Sequence, residues 1–210
     1  MITTDQLLMS YSLGKFPMAK SRNSKKIYWI EPRHRGIIPL KGFHISRSLS
    51  RRMRKGGYRI FLNSSFDAVV EGCADRDDTW INDEIKHLYQ KLHFEGHAHS
   101  FEIWHDGTLS GGVYGVTLGA AFFGESMFSR KTDASKLTLA HLVDHLSRCE
   151  FALFDTQFLT DHLASLGAIK ISQKTYRKYL ERAIFQTADI YSSSVETDPR
   201  SVLQRITQMS

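Results

Sequence analysis

The stretch from residue 98 to residue 127 constrains the fold of this chain most. Ala98–Trp104, Thr108–Thr117 and Ala120–Met127 each have a residue pattern typical of β-strands. Asp106-Gly107 stands between the first two, and this dipeptide favours a two-residue hairpin turn because both of its residues tolerate a positive φ. The sequence therefore predicts a hairpin that is followed directly by a third strand.

Helix and strand patterns after residue 127 extend this sheet. We predict a helix over 135–149, a buried strand over 151–154, a short helix over 160–166, a strand over 168–171 and a helix over 174–182. This order of elements is found in acetyltransferase-like sheets. We therefore expect an α+β protein with a small basic N-terminal domain (residues 1–62), a mixed α/β domain of the acetyltransferase (GNAT) type (63–182) and a C-terminal tail (183–210).

Positive charge is concentrated near the N-terminus. Lys15–Arg59 contains 14 Lys and Arg and the single acid Glu31, a net charge of +13, whereas the rest of the chain has 14 basic and 21 acidic residues, a net charge of −7. Such asymmetry indicates a polyanionic partner, of which nucleic acid is the commonest. A solvated basic face without a partner is the alternative.

A predicted helix from Ser46 to Lys55 carries part of this charge. Leu49 and Met53 fall on one side of the helix, where they can face a core. Four basic residues fall on the other side: Arg47, Arg51, Arg54 and Lys55. The helix therefore has one face for packing and one face for phosphates.

Composition excludes several classes of protein. Hydrophobic residues make up 41% of the 210 residues, and no apolar run approaches the roughly 18 residues of a membrane span. The N-terminus lacks the pattern of a secretory signal, and Cys73 and Cys149 form neither a disulfide framework nor a Cys-x-x-Cys knuckle. We expect a cytoplasmic protein with no membrane association.

Two histidine pairs have the spacing of metal ligands. They are His97-x-His99 and His141-x-x-x-His145, but no neighbouring Cys or acid completes a familiar site. Gly124–Phe128 lacks the second glycine of a nucleophile elbow, which argues against a serine hydrolase. We expect neither a metal site nor serine-hydrolase chemistry.

A series of motifs in this chain is similar to one family. The matching segments are Tyr11–Met18, Phe43–Leu49, Gly72–Ala74, Thr79–Ile81, Leu92-His93, Gly96–Ser100, Gly111–Gly115, Phe123–Ser129, Ala134–Lys136, Asp155–Gln157, His162 and Ser165–Ala168. Together they resemble the leucyl/phenylalanyl-tRNA–protein transferases, from Leu7 to about Leu180. The resemblance implies an enzyme that transfers Leu or Phe, and Met less well, from aminoacyl-tRNA to the N-terminal Lys or Arg of acceptor proteins, which marks those proteins for N-end-rule degradation.

The resemblance also implies the reacting residues. Aminolysis of an ester needs alignment, a sink for the amine proton and stabilisation of charge at the carbonyl. Asp155 and Gln157 are assigned to this chemistry, Asp155 to polarise the amide or accept a proton and Gln157 to hydrogen-bond the attacking amine. Glu125 has a supporting role, and Glu125 and Asp155 are also candidates for binding the acceptor cation. Without the resemblance, an Asp at a strand end is more often a cap or loop residue.

A Leu or Phe side chain needs an apolar pocket. Residues at matching positions are Val113, Phe122, Met127, Leu142 and Phe154, for which ordinary core packing is the alternative. Trp80 can stack on the terminal adenine of tRNA or can simply be buried. Arg47, Arg51 and Lys55 match basic positions used on the acceptor stem, where phosphate contacts would read little sequence.

Coenzyme A fits this chain poorly. The segment Met127–Ala134 has no glycine pair of the kind that cradles a pyrophosphate at a helix start, so we expect no cofactor. A related enzyme that extends a cell-wall precursor and a non-catalytic RNA-binding protein remain alternatives. We expect a monomer, and the role of the tail is open.

Overall fold

The computed structural model describes residues 2–209, which form a mixed α+β fold. The helices are α1 (Thr4–Ser12), α2 (Arg47–Lys55), α3 (Phe66–Ala74), α4 (Asp83–Phe94), α5 (Ala134–Arg148), α6 (Asp161–Ala164), α7 (Gln173–Ile184) and α8 (Pro199–Met209). The strands are β1 (Phe16–Ala19), β2 (Ile27–Ile30), β3 (His34–Ile38), β4 (Arg59–Leu62), β5 (Ala98–His105), β6 (Thr108–Leu118), β7 (Ala121–Ser129), β8 (Leu153–Gln157) and β9 (Ile169–Ser172). None of the described helices is both long and apolar enough to cross a membrane.

Seven strands form one mixed sheet in the order β4-β5-β6-β7-β8-β3-β9, and β1 pairs with β2 separately. The predicted hairpin is confirmed, because β5 and β6 pair from His105 and Thr108 outward. Asp106 and Gly107 have φ values of 50° and 74°, as a tight turn of this kind requires. Within the sheet, β7 and β8 are parallel and the other neighbours are antiparallel.

Two strands of this sheet come from the first 62 residues. β3 is inserted between β8 and β9, and β4 forms the opposite edge beside β5. The basic N-terminal segment therefore shares a sheet with the rest of the chain. The domain boundaries expected at residues 62 and 182 stay a prediction.

Helices cover both faces of the sheet. Neighbouring strand residues alternate between two buried apolar clusters, so that Val113 and Phe122 belong to one and Tyr114 and Phe123 to the other. The Tyr114 face packs against α1, α3, α4 and α7, and the Val113 face packs against α2, α5 and α8. The sheet therefore forms the middle of three layers.

The segment after residue 183 packs against α5 and ends in a helix. Its last helix, α8, begins at Pro199 and buries Val202 and Ile206. Upstream, the backbone carbonyl of Ile190 lies 2.8 Å from His145 Nε2. This part of the tail therefore packs into the apolar cluster that contains Val113.

Candidate functional site

The parallel strands β7 and β8 separate at one end of the sheet. They pair only over 121–123 and 153–155. Beyond those residues β7 stays with β6, while β8 turns to β3 with Gly36 opposite Gln157. A cavity of about 300 Å³ lies where the two strands part, closed on its other sides by α6 and the loop before α4.

Six of the nine predicted catalytic and substrate-binding residues line this cavity. They are Trp80, Val113, Glu125, Met127, Phe154 and Gln157. Phe122 and Leu142 do not line it, because both are buried in the apolar cluster, where Phe122 packs edge-on against Phe154 with 5.2 Å between ring centroids. Asp155 does not line it either, since its side chain lies on the opposite face of β8.

Asp155 forms the centre of a buried ion pair. Arg35 Nε lies 2.8 Å from Asp155 Oδ1, and Arg35 Nη2 lies 2.6 Å from Oδ2, a bidentate geometry. The Tyr176 hydroxyl donates to Oδ2 at 2.6 Å. The buried Arg35 guanidinium thus neutralises the Asp155 carboxylate and bonds both of its oxygens, which keeps Asp155 ionised. The expectation that Asp155 meets an acceptor cation or takes up a proton therefore does not fit its surroundings.

Arg35 is the functional neighbour that sequence reasoning missed. Its side chain is 1% exposed, and its guanidinium lies between the rings of Phe16 and Tyr176, 4.7 and 4.5 Å from their centroids. Its Nη1 donates to the carbonyl of Gly14 at 2.9 Å. No sequence signal separates this arginine from the exposed basic residues around it.

Gln157 adopts an unusual backbone conformation at the cavity wall. Its φ is 63°, a region that costs about 1–3 kcal/mol for a residue with a side chain. Asp155 Oδ1 accepts a hydrogen bond from the Gln157 backbone N–H at 2.8 Å and so holds the turn. Gly36 permits it, because a Cβ there would lie 2.7 Å from the carbonyl carbon of Phe158. Asp155 therefore acts on Gln157 through the backbone.

Glu125 lies on the same cavity wall and is held by two tyrosines. Tyr11 donates to Glu125 Oε1 at 2.7 Å, and Tyr89 donates to Oε2 at 2.6 Å. Burial raises the pKa of Glu125 to about 7, although the hydrogen bonds from Tyr89 and Tyr11 favour the ionised form. The carboxyl group can therefore change its protonation state near neutral pH.

Three buried polar atoms of cavity-lining residues lack a hydrogen-bond partner among residues 2–209. They are Thr156 Oγ1, Gln157 Nε2 and His162 Nε2. Buried polar groups are almost always paired in folded proteins, so an unpaired group calls for a ligand, water or strain. Their concentration in one apolar-lined cavity makes this cavity the candidate functional site. Sequence reasoning missed Thr156 and His162 as site residues.

Aromatic and basic side chains surround the cavity entrance. Trp80 is half-buried, and Phe158, directly after Gln157, is 45% exposed. Arg76 also lines the cavity, with its Nη2 2.6 Å from Ser126 Oγ and its Nε 2.9 Å from the carbonyl of Cys73. These side chains offer stacking surfaces and a fixed positive charge.

Helix α2 presents its predicted basic face to solvent. Leu49 and Met53 are buried as expected, while Arg47, Arg51 and Lys55 are exposed and have no ion-pair partner in the described part of the chain. The loop before α2 contacts the segment after α6, where the His44 N–H donates to the carbonyl of Leu166 at 2.9 Å. Since α6 closes the cavity, this contact connects the helix that carries the basic face to the cavity wall.

The histidine pairs occupy structural positions. His99 lies 3.0 Å from Asn63 Nδ2 and His141 lies 3.2 Å from the Tyr58 hydroxyl, and burial lowers the pKa of each histidine to about 4. Between residues 2 and 209, no three His, Cys, Asp or Glu side chains gather as they would around a metal ion.

Similarity to known proteins bears on this site. The sequence profile of the leucyl/phenylalanyl-tRNA protein transferase family matches residues 37–181. Proteins named leucyl/phenylalanyl-tRNA–protein transferase from Ruegeria pomeroyi and Roseobacter denitrificans are 60% and 56% identical to this chain. The first alignment covers 97% of each chain, and the second covers 100% of this chain and 99% of its relative.

A solved structure supports the fold. FemX superposes with a TM-score of 0.54 at 13% sequence identity, over 80% of this chain and 66% of FemX. At this identity the likeness concerns the fold alone, a mixed α+β arrangement around a mixed sheet. The mixed α/β part of the fold prediction is thereby supported.

Proposed function

The chain belongs to the leucyl/phenylalanyl-tRNA–protein transferase family and is an aminoacyltransferase; from this we propose that it transfers Leu or Phe, and Met less well, from aminoacyl-tRNA to the N-terminal Lys or Arg of acceptor proteins. The modified proteins are thereby marked for N-end-rule degradation in the cytoplasm. The observation that carries this proposal is the unpaired Gln157 amide in an apolar-lined cavity beside Glu125.

The proposed reaction is aminolysis of the aminoacyl ester. The acceptor amine attacks the ester carbonyl carbon, the new C–N bond forms, and the C–O bond to the tRNA ribose breaks. The amine has a pKa of about 7.7–8.0, so a useful fraction is neutral at physiological pH. The amine loses one proton and the departing ribose oxygen gains one, so the reaction needs no cofactor.

Gln157 is proposed to align the reacting groups. Its Nε2 can donate to the carbonyl oxygen as negative charge develops there, and its Oε1 can accept from the attacking amine. Glu125 is proposed to take up the amine proton, because a carboxyl group with a pKa of about 7 accepts and releases protons at neutral pH. Asp155 is proposed as a positioning residue that fixes the Gln157 turn from behind.

The donor side chain is proposed to enter the apolar part of the cavity. Val113, Met127 and Phe154 line that part, and Trp80 at its edge can stack on the terminal adenine. Phe122 supports Phe154 from the core. This apolar part accepts an unbranched or γ-branched apolar side chain. It disfavours a hydrophilic side chain, whose polar groups would be buried there without hydrogen-bond partners.

The cationic N-terminal Lys or Arg side chain of the acceptor needs a binding partner other than Asp155, which is already paired with Arg35. Phe158 and Trp80 at the cavity entrance offer ring faces that attract a Lys or Arg side chain. Arg47, Arg51 and Lys55 are proposed to bind phosphates of the tRNA acceptor stem, since all three are exposed and none is engaged in an ion pair.

The test is a transfer assay with the full chain, radiolabelled Leu-tRNA and a peptide that begins with Arg. We expect label in the peptide, and none in a matched peptide whose N-terminal amine is acetylated. Binding of tRNA without transfer would instead favour an RNA-binding protein. Transfer only to a muropeptide would favour a cell-wall enzyme.

A further inference from the structure

Helix α8 runs beside the basic helix α2, and a groove of about 470 Å³ lies between them. Ser50 and Arg54 line the groove from α2. Arg200, Gln204 and Gln208 line it from α8. The groove thus has an arginine on each wall and several neutral hydrogen-bonding side chains, and Ile45 and Leu203 add apolar surface to its lining. It is separate from the cavity at the end of β7 and β8.

The side chains that line the groove carry two positive charges and no negative one. Neither α2 nor α8 contains an acidic residue. Within residues 2–209, neither Arg54 nor Arg200 has an ion-pair partner.

The acids nearest in sequence to α8 are already engaged. Asp198 Oδ1 accepts from the backbone N–H of Arg200 at 3.1 Å, and its Oδ2 accepts from the Ser201 hydroxyl at 2.8 Å. Glu196 Oε2 lies 3.2 Å from Arg205 Nη2. An anionic ligand would therefore supply the missing counter-charge for Arg54 and Arg200.

Helix α8 is fixed in this position before any ligand arrives. Val202 and Ile206 are buried in the apolar cluster. Arg205 Nε lies 2.6 Å from Asp144 Oδ1, and Arg205 Nη2 lies 3.0 Å from Oδ2, while Asp144 is 1% exposed. Because the helix cannot move away freely, a ligand in the groove would not need to order it on binding.

We propose that α8 completes the surface begun by α2 and that the groove holds the phosphodiester backbone of the donor tRNA. The inference rests on the proposed function. Arg54 and Arg200 bind phosphate oxygens from opposite walls, and Ser50, Gln204 and Gln208 donate to phosphate or ribose oxygens. These contacts read no base, which suits an enzyme that accepts several tRNAs. The C-terminal helix, which lies outside the matched family profile, thereby acquires a role.

The experiment measures binding of uncharged leucine tRNA to the full chain over a series of salt concentrations. We expect Arg200→Gln and Arg54→Gln each to weaken binding about 3- to 10-fold and to reduce the salt slope by about one counterion. Arg200→Lys, which keeps the charge, should retain most of the affinity. The matched control is Lys178→Gln, which removes an exposed and unpaired charge from α7 and should leave binding unchanged.

Transfer kinetics with Leu-tRNA distinguish the inference from the proposed function. The groove variants should raise the KM for Leu-tRNA and leave kcat unchanged, with a melting temperature equal to that of the parent. If Arg200→Gln binds tRNA as tightly as Lys178→Gln does, the inference is overturned even where the parent transfers Leu. The parent protein could also show no transfer while Arg200→Gln still weakens tRNA binding. That result would support the groove as a tRNA-binding site and would contradict the proposed function.

Discussion

Polar groups on the two faces of β8 differ in whether they have hydrogen-bond partners. On one face, Asp155 is surrounded by Arg35, Tyr176 and the Gln157 N–H, and both of its oxygens are bonded. On the other, Thr156 lines the cavity together with Gln157 at the strand end, and neither Thr156 Oγ1 nor Gln157 Nε2 has a hydrogen-bond partner among residues 2–209. Asp155, whose hydrogen bonds are complete, is thus only one or two residues from groups that have unpaired polar atoms.

This difference suggests a structural role for the groups on one face and a role in the reaction for the groups on the other. A buried ion pair with complete hydrogen bonding holds its neighbours rigidly, and removing one partner leaves a charge without compensation. Unpaired groups in a cavity cost stability in the free protein and regain it when a substrate binds. The ion-pair face should therefore control stability, and the cavity face should control turnover.

The largest expected effect is on the ion-pair face. Asp155→Ala leaves the buried Arg35 guanidinium unpaired, and we expect the free energy of unfolding to fall by about 3–5 kcal/mol. Urea denaturation followed by circular dichroism measures it. The double variant Arg35→Met/Asp155→Leu, which buries no charge, should lose less. A loss below about 1 kcal/mol in Asp155→Ala would contradict the assignment.

On the cavity face, Gln157→Ala should lower kcat about 100- to 1,000-fold, because the amide that stabilises the carbonyl is lost. Gln157→Gly is the matched control. It loses the same amide but accepts a φ of 63°, so it should be about as inactive and yet more stable, by roughly 1 kcal/mol. Steady-state kinetics and urea denaturation separate the two effects. Equal activity of Gln157→Ala and the parent would remove Gln157 from the mechanism.

Glu125→Gln should lower kcat about 10- to 100-fold and flatten its pH profile. With saturating acceptor, kcat of the parent should rise as pH passes through about 7, where Glu125 ionises. The folded state holds this proton more tightly than the unfolded chain, so the parent should lose stability as pH rises from about 4.5 to about 7. In Glu125→Gln that part of the pH dependence should vanish. A profile unchanged by the substitution would assign the titration to another group.

The smallest effect is expected for Thr156→Val. The variant replaces an unpaired buried hydroxyl with a methyl group of similar size, so stability should change by less than about 1 kcal/mol or rise slightly. The KM for aminoacyl-tRNA should increase a few-fold if the hydroxyl bonds the substrate. A strong loss of stability would mean that Thr156 belongs with the ion-pair face after all.

Local pattern was enough to predict most elements of this fold. The helix predicted over 46–55 occurs as α2 over 47–55, because its apolar spacing and its serine cap act within a single turn. The predicted strand over 151–154 begins two residues later and continues to Gln157. The prediction ends before Asp155 because Asp is depleted in strands. The insertion of β3 between β8 and β9 has no local signal, because pairing partners far apart in sequence leave none.

The site could be predicted only in part for the same reason. Resemblance pointed to Glu125 and Gln157, and both line the cavity. It could not show that Asp155 faces Arg35 instead of the cavity, because that depends on a strand placed from a distant part of the chain. Nor could it reveal the positive φ of Gln157, a conformation for which glutamine has no preference.

The position of β3 has a consequence for synthesis of the protein. Both of its neighbours, β8 and β9, come later in the chain, and Arg35 is made 120 residues before Asp155. At about 5–20 residues per second, the nascent chain carries this arginine without its partner for roughly 6–24 seconds. The end of the sheet that holds the cavity therefore forms only after β8 has been synthesised, and a product that terminates before β8 contains neither the cavity nor a neighbour for β3.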